Sequence, residues 1–222
     1  IYVIDGGGLS ARSKRRLRRA VAPFGASLKF LPFDNAKLAG LSRLSVYKRY
    51  GKEAFYRIFI PELFGLKVRR ALYLDSDLIV RRDITRLWRM PLRGALAAAA
   101  KDPSAPRMTR RLGLPKGKYF NSGVLLIDLR GWRKYGVREK VVPYVREHRR
   151  RIRFPDQDGL NAVLKGKVRF LSYYWNCPAF RFRRFPKHAI LHFMTPRKPW
   201  LAGRRPRGAG VYRRYAAKTA WE

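Results

Sequence analysis

Short apolar runs that alternate with helix-patterned segments constrain this chain more than any other feature. IYVID (1–5), SLKFLPF (27–33), ALYLDSD (71–77), GALAAAA (94–100) and YFNSGVLLIDL (119–129) each read as a strand, with VRFLS and AILHFM as short late strands. A basic helix is expected from the Ser10 cap to about Val21, and a buried helix, kinked near Pro61, over EAFYRIFIPELF (53–64). DITRLW (83–88) reads as a short helix capped by Asp83, GWRKYGVREKVVPYVREHRR (131–150) as largely helical, and segment 102–118 as a loop. DQDGLNAVLKG (156–166) is a helix whose acidic residues sit in its first turn, where the macrodipole favours them. ALYL and GALAAAA lack alternation, the pattern of strands covered on both faces. Strand and helix in alternation predict an α/β domain with a mostly parallel central sheet. No linker or internal repeat divides the chain, so one domain over residues 1–222 is expected.

Composition narrows the classes. Hydrophobic residues make up 46% of the chain, enough for a sizeable core. No window of eighteen uncharged apolar residues exists, so no membrane-spanning helix is expected. The single cysteine, Cys177, excludes an internal disulfide and fits a reducing compartment. The formal net charge of +38 attracts polyanions: nucleic acid, anionic lipid head groups or phosphorylated glycans. Much of the basic excess suits a solvated arginine-rich surface. FRFRRF (180–185) interleaves arginine with aromatic residues and permits backbone and stacking contacts with nucleic acid. No nucleic-acid module motif accompanies it, so specific nucleic-acid binding is not expected.

The stretch YLDSDLIV (73–80) places two carboxylates, Asp75 and Asp77, one residue apart at the end of an apolar strand, in a chain with only 14 acidic residues. Ligands of open α/β sheets sit beyond such strand ends. Side chains at i and i+2 of an extended segment share a face, so both carboxylates can converge on one hard cation, Mg²⁺ or Mn²⁺. On spacing alone a simple turn, with Asp77 bonded to backbone groups, explains the residues at least as well. His192, in AILHFM, is by itself a satisfied core histidine; beside two acidic ligands its imidazole becomes a third ligand and favours Mn²⁺. Lys198 follows six residues later. A divalent ion with a lysine is what a diphosphate leaving group needs.

Five ordered blocks give the chain a likeness to a known family. FYRIFIPELF, RALYLDSDLIVRRDITRLW, YFNSGVLLIDLRGWRKYGV, FPDQDGLNAVLKGKVRFLSYYWN and HFMTPRKPW resemble, in order, segments of glycosyltransferase family 8, which includes bacterial lipopolysaccharide galactosyl- and glucosyltransferases and glycogenin. The resemblance implies a nucleotide-diphospho-sugar transferase domain of GT-A, Rossmann-like type. It implies a retaining, metal-dependent hexosyltransferase that uses a UDP-sugar donor and a glycan acceptor such as lipopolysaccharide core. Asp75 and Asp77, flanking Ser76, match the family D-x-D that binds Mn²⁺ and the donor diphosphate; His192 matches the third metal ligand and Lys198 a diphosphate contact. Arg57 matches an arginine near the donor. Asp102, Asn121, Asp156 and Gln157 match positions that hold the transferred sugar or border the reaction centre, with Asp156 or Gln157 facing the oxocarbenium. Read from the residues alone, Asp156 only caps its helix and Asn121 only satisfies a turn.

Two departures from the family pattern carry expectations. The chain opens at Ile1, where the family's second strand begins, so it reads as incomplete at the N-terminus and its base and ribose site as partial. Thr195 stands where the family's H-x-x-G-P-x-K-P-W loop has glycine, and the β-branch is expected to crowd the diphosphate. The family and the charge together imply a cytoplasmic protein, peripheral on the inner face of a membrane.

Overall fold

The computed structural model describes residues 1–42, 47, 50–181, 186–187, 189–201, 203 and 206–219. Residues 182–185, most of the FRFRRF stretch singled out for stacking contacts, lie outside the described residues. Strand β1 (Tyr2–Asp5) pairs in parallel with β2 (Lys29–Pro32), and helix α1 (Ala11–Val21) connects them. Ser10 caps α1 as expected, its hydroxyl accepting from the Ser13 N–H.

A four-stranded sheet occupies the centre in the order β3 (Arg70–Leu74), β6 (Val124–Asp128), β5 (Ala97–Ala100), β7 (Val168–Leu171). The α/β class holds, but the sheet is mixed rather than mostly parallel: β6 runs antiparallel to both β3 and β5, and only β5 and β7 run parallel. A near-continuous apolar run reports burial on both faces and is silent on direction. Both faces are indeed covered. Ala97 and Ala99 of β5 join Leu125 and Ile127 of β6 in one core, while Ala98 and Ala100 join Val124 and Leu126 in another. The first core packs under Trp132, Val141 and Leu160 of the helices and under Phe55 and Phe59; the second packs under Leu87, Trp175 and Ile190.

A small sheet of β4 (Leu78–Val80), β9 (Ile190–His192) and β8 (Cys177–Pro178) stands beside the central one, in that order. The chain passes from β3 to β4 through a turn at residues 75–77, so the predicted strand 71–77 ends four residues in. The EAFYRIFIPELF segment is a 3₁₀ helix, Lys52–Glu62, rather than an α-helix. Helix α2 (Thr85–Trp88) starts just after Asp83, whose carboxylate accepts from the Thr85 N–H. The segment expected to be a loop holds a helix, α3 (Ala105–Leu112); its proline at the first turn and its left-handed Gly113 are the helix's start and stop. The long helix expected over 131–150 divides into α4 (Leu129–Tyr135) and α5 (Val137–Glu147) at Gly136, which adopts φ 66°. Helices α6 (Pro155–Val163) and α7 (Ala209–Ala216) complete the elements used below.

Leu126 sits at 0% exposure in the middle of the antiparallel strand. Truncation to alanine removes buried methylenes between two packed layers and is expected to cost about 2–5 kcal/mol. Urea unfolding checks this: the midpoint falls with the slope unchanged.

Candidate active site

The turn after β3 carries the two carboxylates to the seam between the sheets. Two backbone bonds pin it: Asp75 N–H donates to Gly123 O at 2.8 Å, and Phe193 N–H donates to Asp77 O at 3.0 Å. The register of β4 with β9 sets Leu78 opposite His192 and so delivers His192 to the turn. His192 Nε2 lies 3.1 Å from Asp77 Oδ1 and 3.6 Å from Asp75 Oδ2. Asp75 and Asp77 therefore converge because the chain turns, and not because they share the face of an extended strand.

Hydrogen-bond direction tests whether this cluster suits a cation. Gly123 N–H, an unambiguous donor, fixes the Asn121 side-chain oxygen at 2.9 Å as an acceptor. Asn176 Nδ2 donates to that same oxygen at 2.7 Å, so the Asn176 oxygen faces His192 Nδ1 at 2.8 Å. His192 Nδ1 must then carry the hydrogen. With Nδ1 carrying a hydrogen, Nε2 faces two carboxylates, an arrangement that a bound cation or a second ring proton satisfies. One ligand atom from each of the three residues lies within 4.8 Å of the others. Cis ligands of an octahedral ion with bonds of about 2.1 Å lie about 3 Å apart, close to the His192–Asp77 separation. A Cβ on Gly123 would come within 2.3 Å of the His192 ring and 2.6 Å of Asp75 Oδ2, so that position leaves room only for hydrogen. The residues fit a divalent metal ion.

Lys198 reaches the other oxygen of Asp77, with Nζ 2.5 Å from Oδ2, and also donates to Phe193 O at 2.6 Å. Burial opposes the charge of Asp77, but its bonds to His192 and Lys198 outweigh that and pull its pKa down to about 2. Ser76 is exposed at the tip of the turn. Thr195 is not among the residues with positive φ, so the loop accepts a β-branched residue there without backbone strain; its hydroxyl turns to Arg197 O at 3.4 Å.

Behind the cluster lies Arg57, buried at 7% exposure. Its guanidinium pairs with Asp75 Oδ1 at 2.8 Å and Asp156 Oδ2 at 3.0 Å, and donates to Ser122 O and Oγ at 2.8 and 2.9 Å. Burial raises the pKa of Asp156, with the Arg57 charge and the Ser122 hydroxyl pulling against it. Asp102 Oδ2 accepts from Asn121 Nδ2 at 2.9 Å and from Gln157 Nε2 at 3.1 Å, and Gln157 Oε1 is held by the Ser122 N–H at 3.0 Å. The nine positions singled out in the sequence around Asp75 thus fall into one connected region, with Arg57 and Asp156 beneath it.

Three members of the network carry no sequence signal of comparable strength. Asn176 orients His192. Tyr119 accepts from Gln157 Nε2 at 3.0 Å and bonds Asp158, which also accepts from the Arg153 and Phe154 N–H groups. Asp158 shows only as another acid in the first turn of α6, and Asn176 as a lone amide after an aromatic run. Among the described residues no buried side-chain polar atom is left without a partner, so this polar region is rigid as well as buried.

The fold and this site define a GT-A-type transferase. The sequence profile described as "Glycosyl transferase family 8" matches residues 2–203. The chain belongs to glycosyltransferase family 8, a class of sugar-transferring enzymes. It is 30% identical over its whole length to General stress protein A of Bacillus subtilis (strain 168), covering 83% of that protein. It is 37% identical over 57% of its length to a lipopolysaccharide 1,2-glucosyltransferase of Escherichia coli (strain K12), a match that spans 39% of that protein. Its fold superimposes on that of the galactosyltransferase LgtC, solved with donor and acceptor sugar analogues, with a TM-score of 0.84 at 24% identity, over 99% of this chain and 84% of LgtC.

Two outcomes are expected here. Asn176→Ala frees the His192 ring and should weaken divalent-metal binding about 10–100-fold in a calorimetric titration. Arg57→Leu leaves two carboxylates facing each other across a buried gap and should cost about 3–5 kcal/mol at neutral pH. Asp156, its pKa already raised, loses its counter-charge in that variant, so the folded state binds protons more readily than the unfolded one and the loss shrinks as pH falls. Urea unfolding at pH 7 and pH 5 checks the sign.

Proposed function

We propose that this chain transfers a hexose, galactose or glucose, from a UDP-sugar to a glycan acceptor such as lipopolysaccharide core, with retention of configuration and with Mn²⁺ as cofactor. The observation that carries the proposal is the convergence of Asp75, Asp77 and His192 beside Lys198 in a chain of family 8. The names of the similar lipopolysaccharide glucosyltransferase and of LgtC support the substrate class. Asp75, Asp77 and His192 would hold the metal, which when bound neutralises charge on the diphosphate as the glycosidic bond breaks.

The chain's own residues then divide the work. Lys198 places a second cation at the diphosphate, next to Asp77. Ser76, at the exposed tip of the turn, borders the diphosphate as well. Asp102, Asn121 and Gln157, joined through the Asp102 carboxylate, hydrogen-bond the sugar hydroxyls and hold the ring. Gln157 belongs to this group and faces the reaction centre. Asp156 spends one oxygen on Arg57 and Ser122 and stabilises the oxocarbenium from behind. Arg57 positions Asp75 and Asp156 from the interior and lies beside the donor. The excess of positive charge suits an anionic leaflet that presents the acceptor, which points to a cytoplasmic enzyme, peripheral on the inner membrane face. Among the described residues no helix is long and apolar enough to cross a membrane.

Calorimetry with UDP tests the reading. Binding is expected only with Mn²⁺ present and is expected to vanish in Asp77→Ala, with Lys198→Ala weakening it about tenfold. Equal UDP binding by Asp77→Ala and the parent chain would overturn the metal and donor assignment.

A further inference from the structure

A second cationic site lies at the opposite end of the central sheet. Arg69 immediately precedes β3, whereas Asp75 follows it; six residues of extended chain separate them by about 20 Å. Leu129 N–H donates to Arg69 O at 2.9 Å and so sets the start of α4 beside it. On α4, Arg130, Arg133 and Lys134 follow the i, i+3, i+4 spacing that puts three side chains on one helix face, while Leu129 and Trp132 are buried. Arg69, Arg130, Arg133, Lys134 and Leu66 line a hollow of about 380 Å³.

The wall of this hollow is built rather than incidental. The Arg133 guanidinium donates to Pro61 O at 2.9 Å, Phe64 O at 3.0 Å, Gly65 O at 3.3 Å and Val68 O at 3.2 Å. These bonds hold the turn that carries Leu66 and fix one positive charge at its base. No carboxylate of the described residues pairs with any of the four cations. Glu62, the acid nearest this turn in sequence, spends one oxygen on Lys37 and the other on Arg138. Asp128 caps α4, accepting from the Gly131 N–H. Arg69, Arg130 and Lys134 are exposed, with their donors directed to no acceptor among the described residues. Four like charges around one hollow repel one another until an anion enters, and guanidinium groups match the oxygens of phosphate in paired bonds.

We propose that this hollow binds a phosphate-bearing anion of two or more negative charges, at a site separate from the Asp75–Asp77–His192 cluster. The phosphate comes either from a free di- or polyphosphate or from a lipid head group, with Leu66, 83% exposed, meeting the acyl boundary in the second case. The test uses inorganic pyrophosphate by calorimetry, in EDTA so that the metal cluster is silent, and sedimentation with phosphatidylcholine vesicles with and without phosphatidylglycerol. The site variant is Arg69→Gln, Arg130→Gln, Lys134→Gln. The control is Arg12→Gln, Arg15→Gln, Arg19→Gln on α1, which removes the same charge from exposed positions. The site variant is expected to weaken one probe about tenfold or more, with the control within about threefold of the parent. Loss of pyrophosphate binding identifies a free phosphate ligand; loss confined to anionic vesicles identifies a head group. Failure to bind either probe, or equal effects of site variant and control, overturns the proposal.

Discussion

A guanidinium buried in the interior must be paired, and the candidate site is arranged around that requirement. Taking Arg57 out of water costs several kcal/mol unless opposite charges and hydrogen bonds surround it. Asp75, Asp156 and Ser122 supply them. Those residues come from the turn after β3, the first turn of α6 and the approach to β6, so one side chain from the 3₁₀ segment ties together three of the elements that reach the site. Asp75 thereby presents one oxygen to Arg57 and keeps the other for the cluster with His192.

The same economy runs through the amides. A backbone N–H at Gly123 sets the orientation of Asn121, Asn121 sets Asn176, and Asn176 sets the tautomer of His192. A chain of neutral hydrogen bonds thus decides which ring nitrogen faces the carboxylates. On the other side Asp102 draws in Asn121 and Gln157, so the Asp75–Asp77–His192 cluster and the Asp102–Gln157 pair share Asn121 as a common support. A change at Asn121 or Asn176 should therefore reach both parts of the site, since buried polar networks lose more than one bond when one member goes.

Charge is partitioned along the central sheet. The scarce carboxylates Asp75, Asp77, Asp102 and Asp156 gather at the end where β3 finishes, each with cationic or amide partners. At the other end Arg69, Arg130, Arg133 and Lys134 line one hollow, and no carboxylate of the described residues pairs with them. Two polar regions of opposite sign at opposite ends of one sheet follow from antiparallel β6, which leads from Asn121 and Ser122 at one end to Arg130 at the other within nine residues.

The α/β class and strands buried on both faces were legible in the residues, because hydrophobic period is a property of contiguous segments; Asp75, Asp77, His192 and Lys198 stood out as candidates through the family resemblance, since spacing alone reads equally as a turn and a core histidine. Helix α3 was missed, because Pro106 and Gly113 read as loop formers when they are its start and stop. The direction of β6 was not legible, since an apolar run looks the same whichever way it points. Nor were the work of Asn176, Tyr119 and Asp158 or the interior position of Arg57: each acts through at least one partner 16 or more residues away in sequence. Local spacing carries the chemistry a segment can offer; only packing brings distant polar groups within hydrogen-bond reach and decides which of them face a ligand and which hold the others in place.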